Sequence, residues 1–301
     1  MPTEGKKRST PPLDLWLTAD AVGAMLEGQL AAAASVEPQI EAIARAADEA
    51  AEKLEHSTGR LVYVGAGTSG RLAVLDGAEL EPTFGWSRDR LLYGIAGGMD
   101  ALSRSIENAE DDDDGGRALV RSAGINQNDV VIGVSASGST SFTVAAVREA
   151  SALGALTVAI ASNAGTPLLL AAKHPIFLDT GAELVSGSTR MKAGTAQKIV
   201  LSLLSTAIML RLGRIYDGLM IDMRVTNRKL RARAIGIVAE LSGVNLHDAE
   251  AALSLSQNNI KIATLVAMGV SPAKAAKVLV ASRNNFRAAI MACSEGRRRN
   301  P

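Results

Sequence analysis

The sequence predicts a doubly wound α/β protein, a parallel sheet covered by helices, with helices before it and a small helical domain after it. Three observations carry this reading. Short apolar runs alternate with helical stretches from Leu61 to Leu178. Of 301 residues, 47% are hydrophobic but only 3% aromatic, so the core is built from Ala, Val, Leu and Ile, as is usual between helices and a parallel sheet. The first apolar run, Leu61-Val62-Tyr63-Val64, leads directly into Gly65-Ala66-Gly67-Thr68-Ser69-Gly70-Arg71, a glycine-rich turn that opens a helix. The boundaries read as an arm with helices over 1–55, the sheet domain over 56–225 and a helical domain over 226–301.

Charge and special residues exclude several classes of function. With 32 basic and 31 acidic residues the net charge is +1, which gives no case for nucleic-acid binding. Arg297-Arg298-Arg299 reads as a solvated tail. The lone Cys293 allows no intramolecular disulfide or cysteine cluster, and His56, His174 and His247 lack ligand spacing, so no metal is expected. The start has no apolar stretch of a signal peptide. The apolar run 199–210 is shorter than the roughly 18 residues a membrane span needs. A cytoplasmic protein without membrane contact is expected.

Taken in order, residues 1–12 are polar, end in Pro11-Pro12 and read as an extended arm. The alanine-rich stretch 18–55 reads as two helices broken near Val36-Glu37-Pro38, the second with Ile40, Ile43 and Ala46 on one stripe. Strands are predicted at 61–64, 91–95, 130–134, 156–161 and 175–178. The turn after the first strand satisfies G-x-G-x-x-G, yet the acidic residue of a dinucleotide site, expected about 20 residues on at the end of the next strand, is absent. There the chain runs Ile95-Ala96-Gly97-Gly98, with Asp100 only beyond the glycines. Thr68 and Ser69 beside backbone donors suit a terminal phosphate instead. A plain strand-to-helix turn that needs small residues would give the same glycines.

The turn after the third strand, Ser135-Ala136-Ser137-Gly138-Ser139-Thr140-Ser141, carries five hydroxyls in seven residues. It reads either as a capped turn or as the second half of a sugar-phosphate cradle. After the fifth strand, Ser188 or Thr189 is expected to cap a long apolar helix, with Arg190 or Lys192 near its start to meet an anion. Two acidic pairs stand between the turns. Glu79 and Glu81 follow the first helix, and Glu107 and Glu110 are expected on the helix after the second strand. From Asn227 the pattern is helical, with helix starts after Val244 and at Gly269-Val270-Ser271-Pro272.

These residues carry a resemblance. Gly65–Arg71, Glu79 with Pro82-Thr83-Phe84-Gly85, Ile95-Ala96-Gly97-Gly98, Ala109-Glu110-Asp111-Asp112, the run from Gly187 to Lys198 and Leu219-Met220-Ile221-Asp222 resemble the N-acetylmuramic acid 6-phosphate etherases. The likeness extends from Thr3-Glu4 into the C-terminal helices. It implies a sugar isomerase (SIS) domain of flavodoxin-like topology, a small C-terminal helical domain and a cytoplasmic homodimer. It also implies cleavage of the lactyl ether of N-acetylmuramic acid 6-phosphate to N-acetylglucosamine 6-phosphate and D-lactate during peptidoglycan recycling, without a cofactor. By motif the acid falls on Glu79 and the base on Glu110. Phosphate binding falls on Gly67, Thr68, Ser69 and Gly70 and on Ser137, Gly138, Ser139 and Thr140, with Ser188, Arg190 and Lys192 nearby.

Two carboxyl groups suit that chemistry. Opening the sugar to its aldehyde makes the C2 proton acidic, so a base and an acid can eliminate the C3 ether before water adds at C3. An acid protonated near neutral pH needs burial or a like charge, and Glu81 is the like charge nearest to Glu79 in sequence. Three departures from the family pattern stand out: Leu80-Glu81 in place of Cys-Pro, Asn108 in place of glycine, and Ser139-Thr140-Ser141-Phe142 in place of Arg-Thr-Pro-Tyr. The last removes a fixed positive charge beside the expected phosphate. Two other functions fit the same cradle, a non-catalytic sugar-phosphate sensor and an aldose–ketose sugar-phosphate isomerase, and neither would release lactate.

Overall fold

Apolar runs dense in Val, Ile and Leu form five parallel strands: β1 (Leu61–Gly65), β2 (Leu91–Ile95), β3 (Val130–Val134), β4 (Leu156–Ala161) and β5 (His174–Phe177). β1, β3 and β4 are buried along their whole length, as strands covered by helices on both faces must be. Their order is β2-β1-β3-β4-β5, the flavodoxin-like order. In this computed structural model the chain is described at Thr3, at Gly5 and over 11–298, with side chains to Cys293. Most of the predicted arm lies outside the described residues. Thr3 itself is buried and donates from its backbone N–H to Asn163 Oδ1 at 3.4 Å.

In chain order the first eight helices are α1 (Thr18–Ala34), α2 (Ile40–Glu55), α3 (Gly67–Ala78), α4 (Leu80–Phe84), α5 (Asp113–Ser122), α6 (Ser141–Ala152), α7 (Pro167–Ala171) and α8 (Lys192–Arg211), of which α4 belongs to a second compact unit. A 3-10 turn at Glu37–Gln39 breaks α1 from α2 where Pro38 stands. α2 buries Ile43, Ala46, Ala47, Ala50, Ala51 and Leu54. The apolar run 199–210 lies within α8, whose 20 residues are long and apolar enough to cross a membrane by length and composition. Its Val200, Leu201, Leu204 and Ile208 are buried within the fold, as in a core helix.

A polar clamp sets the start of the sheet. Asp129, 1% exposed, accepts from Arg60 N at 2.8 Å and Arg60 Nε at 3.1 Å through Oδ1, and from Arg60 Nη2 at 2.8 Å and Asn126 N at 3.0 Å through Oδ2. Burial alone would push the carboxyl up, but the hydrogen bonds and charge of Arg60 bring it below the usual range. A depressed carboxylate contributes stability that is present above its unfolded value, about 3.9, and lost as pH falls through the folded one. Asp129→Asn is therefore expected to cost about 2–3 kcal/mol at pH 7. In melting curves recorded from pH 7 to pH 3, the gap between native and variant should narrow below about pH 4.

The second compact unit joins Glu79–Trp86 to the residues from Met209 on. It comprises α4, a two-residue hairpin β6 (Ile215–Tyr216) and β7 (Leu219–Met220), and helices α9 (Arg228–Ser242), α10 (Leu246–Leu255), α11 (Ile260–Ala267), α12 (Pro272–Ala281) and α13 (Phe286–Arg298). Trp86 is buried beneath Arg214, whose Cζ stands 5.2 Å from the ring centroid. Asn227, Asn245 and Asn259 cap α9, α10 and α11 through their side chains.

Candidate active site

The sheet order reverses its winding between β1 and β3, the place where open α/β sheets bind ligands beyond the carboxyl ends of their strands. Gly65 pairs with Val134, so the turns that leave the two strands start level with each other. Both predicted turns lie at this crevice.

In the first turn each glycine has its own reason. A Cβ on Gly65 would stand 2.9 Å from Gly70 Cα, and one on Gly70 would stand 2.9 Å from Gly65 O, so strand end and helix start need bare backbone to pack. Gly67 has a φ of 52°, and a Cβ there would be 3.0 Å from Glu110 Oε1. The Glu110 carboxylate therefore rests against Gly67 at the opening of α3. Ser69, 8% exposed, donates from Oγ to Gln197 Oε1 of α8 at 3.0 Å. Thr68 lies beside the start of α8, its Cγ2 3.6 Å from where a Gly194 Cβ would be.

The second turn is a closed hydroxyl network. Ser135 Oγ is 2.8 Å from Thr140 Oγ1 and accepts from Gly138 N at 3.1 Å, while Ser137 Oγ accepts from Ser139 N and Ser139 Oγ, each at 3.2 Å. Gly138, with a φ of 71°, is forced to be glycine, because a Cβ would stand 2.2 Å from Thr166 Oγ1. Asn163 Nδ2 donates to Ala136 O and Ser137 O, both at 3.2 Å, and ties the turn to the chain after β4.

The structure corrects three sequence expectations. Glu107 and Glu110 are not on the helix after β2: Glu107 lies in a loop and Glu110 in a 3-10 turn, Ala109–Asp111. The helix, α5, starts only at Asp113, where the Asp112 side chain accepts from Gly115 N. The chain reaches the 3-10 turn through Asn108, whose φ of 58° glycine adopts freely and asparagine tolerates. That accommodates the asparagine. Second, the first backbone donors of α8 are met by Glu183, not by Ser188 or Thr189. This buried carboxylate accepts from Lys192 N at 3.0 Å and Ala193 N at 3.1 Å. Lys192 Nζ turns back to Ala182 O at 3.2 Å, whereas Arg190 is exposed. Third, Glu81 Oε1 faces Arg224 Nη2 at 3.5 Å, a cation that offsets the like charge expected to act on Glu79.

Glu79 is exposed, directly precedes α4 and belongs to the second unit. That unit also holds a cleft of about 480 Å³ lined by Arg214, Arg224 and Asn258 among others. Arg214 is already spent on Phe84 O and Gly85 O at 2.8 and 3.1 Å, and the cleft contains none of the predicted site residues. Sequence reasoning missed Glu183, Gln197, Asn163 and Thr166. Gln197 lies inside the run from Gly187 to Lys198, but its partner Ser69 is on another helix, and the other three lie in loops with no local pattern to find them.

The switch-point turns lie within a SIS domain, as two family matches show. Residues 42–151 match the glucokinase regulatory protein N-terminal SIS domain, and residues 115–207 match the SIS domain. An N-acetylmuramic acid 6-phosphate etherase of Deinococcus radiodurans is 46% identical over 86% of this chain and 85% of its own. One of Streptomyces coelicolor is 44% identical over 96% and 93%. A solved structure from Bacteroides fragilis, assigned as a phosphosugar isomerase involved in capsule formation, shares the fold with a TM-score of 0.52 and 19% identity, over 67% of this chain and 95% of its own. The chain belongs to the N-acetylmuramic acid 6-phosphate etherase family.

Proposed function

We infer that this protein cleaves the D-lactyl ether of N-acetylmuramic acid 6-phosphate, giving N-acetylglucosamine 6-phosphate and D-lactate. Family membership over most of the chain supports the reaction. The observation that carries the site is the Glu110 carboxylate at Gly67, beside the α3 start suited to an anion. The phosphate is held by Gly67, Thr68, Ser69 and Gly70 and by Ser137, Gly138, Ser139 and Thr140, with Ser188, Arg190 and Lys192 as a further bank. In the open-chain aldehyde Glu110 takes the C2 proton. The C3–O bond breaks, its electron pair leaves on the lactate oxygen, and Glu79 protonates that oxygen. Water then adds to the unsaturated aldehyde: Glu79 takes a proton from the water, the hydroxyl joins C3, and Glu110 returns a proton to C2. The sum is substrate plus water to sugar phosphate plus lactate.

Isotopes test this route. In ¹⁸O-water the label is expected at the C3 hydroxyl of the sugar product and absent from the lactate, and in deuterium oxide one deuterium is expected at C2. Label in the lactate would mean attack on the lactyl carbon and would overturn the elimination.

The reaction would then serve peptidoglycan recycling in the cytoplasm, with the chain acting as a homodimer. An apolar stripe supports the dimer: Val22, Leu26 and Leu30, one helical turn apart on α1, are 57%, 59% and 64% exposed. Light scattering after size exclusion should give twice the chain mass for the native protein and the single mass for Leu26→Asp with Leu30→Asp. A monomeric native chain at micromolar concentration would contradict it.

A further inference from the structure

α8 is fixed on α3 twice, by Gln197 against Ser69 and by Ser205 Oγ donating to Asp76 Oδ1 at 3.2 Å, two helical turns further along both helices. Gln197 is 1% exposed, and its Nε2 is buried with no hydrogen-bond partner among the described residues. Buried N–H donors left unpaired are rare and costly. Meanwhile the Ser69 hydroxyl spends its one proton on Gln197 Oε1. In that state Ser69 offers only lone pairs to the turn, and a phosphate oxygen, itself an acceptor, is repelled by them.

Half a rotation of the amide exchanges the atoms that meet Ser69. Nε2 then donates to Ser69 Oγ, the buried donor gains its partner, and the Ser69 proton is free to point at an anion held by the turn. The count of hydrogen bonds between the two side chains is unchanged, and the unpaired atom becomes the amide oxygen rather than its nitrogen. We propose that Gln197 is a positioning residue that sets Ser69 as a hydrogen-bond donor to the substrate phosphate, its amide orientation following the occupancy of the turn. The proposal rests on the sugar-phosphate reading above and adds to it a residue that acts only through Ser69.

A double-mutant cycle on the full chain separates this role from simple helix packing. Gln197→Met keeps the length and removes the donor. It is expected to raise KM for the sugar phosphate, and the inhibition constant of inorganic phosphate, by about fivefold, the worth of the neutral hydrogen bond that orients the Ser69 hydroxyl, with kcat falling far less. In the Ser69→Ala background the same change should add less than about twofold, because the hydroxyl it orients is gone. Equal effects in both backgrounds, or no rise in KM in the native one, would overturn the proposal. Gln197→Asn, one methylene too short to reach, should behave as Gln197→Met does. The native chain gives a reading that needs no variant to fold: in ¹⁵N-labelled protein the Gln197 side-chain NH₂ resonance should shift on titration with inorganic phosphate. An unmoved resonance under saturating phosphate would reject the amide turn. Loss of the etherase reading would show differently, as a native chain that releases no lactate.

Discussion

Glu110→Gln is expected to lower lactate release by about 10²- to 10⁴-fold, the range for removing a positioned general base. The substitution keeps the shape of the side chain beside Gly67, so the affinity for inorganic phosphate should hold and the loss should appear in kcat. Solvent exchange at C2 distinguishes the two carboxylates. Glu110→Gln should abolish exchange and cleavage together, because proton removal is the first chemical step. Glu79→Gln should stop cleavage while C2 exchange continues, because the acid acts only as the ether oxygen departs. Exchange surviving in Glu110→Gln at the native rate would remove Glu110 from the role of base.

The largest effect on stability is expected in the second unit, at Asp222→Asn. Lys261 is fully buried, with Nζ 2.6 Å from Asp222 Oδ2 and donating to Gly213 O at 3.2 Å and Asn284 O at 3.0 Å. Burial pulls the ammonium below its usual range, and the Asp222 charge works against that pull. Removing the carboxylate leaves a buried cation facing only carbonyls, a loss of about 3–5 kcal/mol. Lys261→Met together with Asp222→Asn should recover most of it, since no charge is then stranded. Denaturant unfolding of the three proteins measures this. A single variant within about 1 kcal/mol of the native chain would mean that the pair contributes little.

The sheet was legible because β1, β3 and β4 are buried on both faces and so read as apolar runs dense in Val, Ile and Leu. The two turns were legible because glycine is required there by backbone approach at Gly65 and Gly70 and by conformation at Gly67 and Gly138. The hairpin of β6 and β7 went unread although Asp217-Gly218 carries its signal, both residues having positive φ, at 51° and 76°. Strands of two residues offer no alternation to notice. Glu107 and Glu110 were read as helical because an acidic run resembles a helix start, and the left-handed Asn108 that interrupts it is visible only in the backbone. Glu183 and Gln197 were out of reach for a different reason. Each works by meeting a group supplied by another loop or helix, a partnership that no local pattern encodes.

D-lactate released from N-acetylmuramic acid 6-phosphate by the purified chain tests the central claim most directly, with Glu110→Gln measured alongside. Steady release by the native protein and its near loss in the variant are expected. A folded native chain that binds the sugar phosphate and yet leaves the ether intact would contradict it.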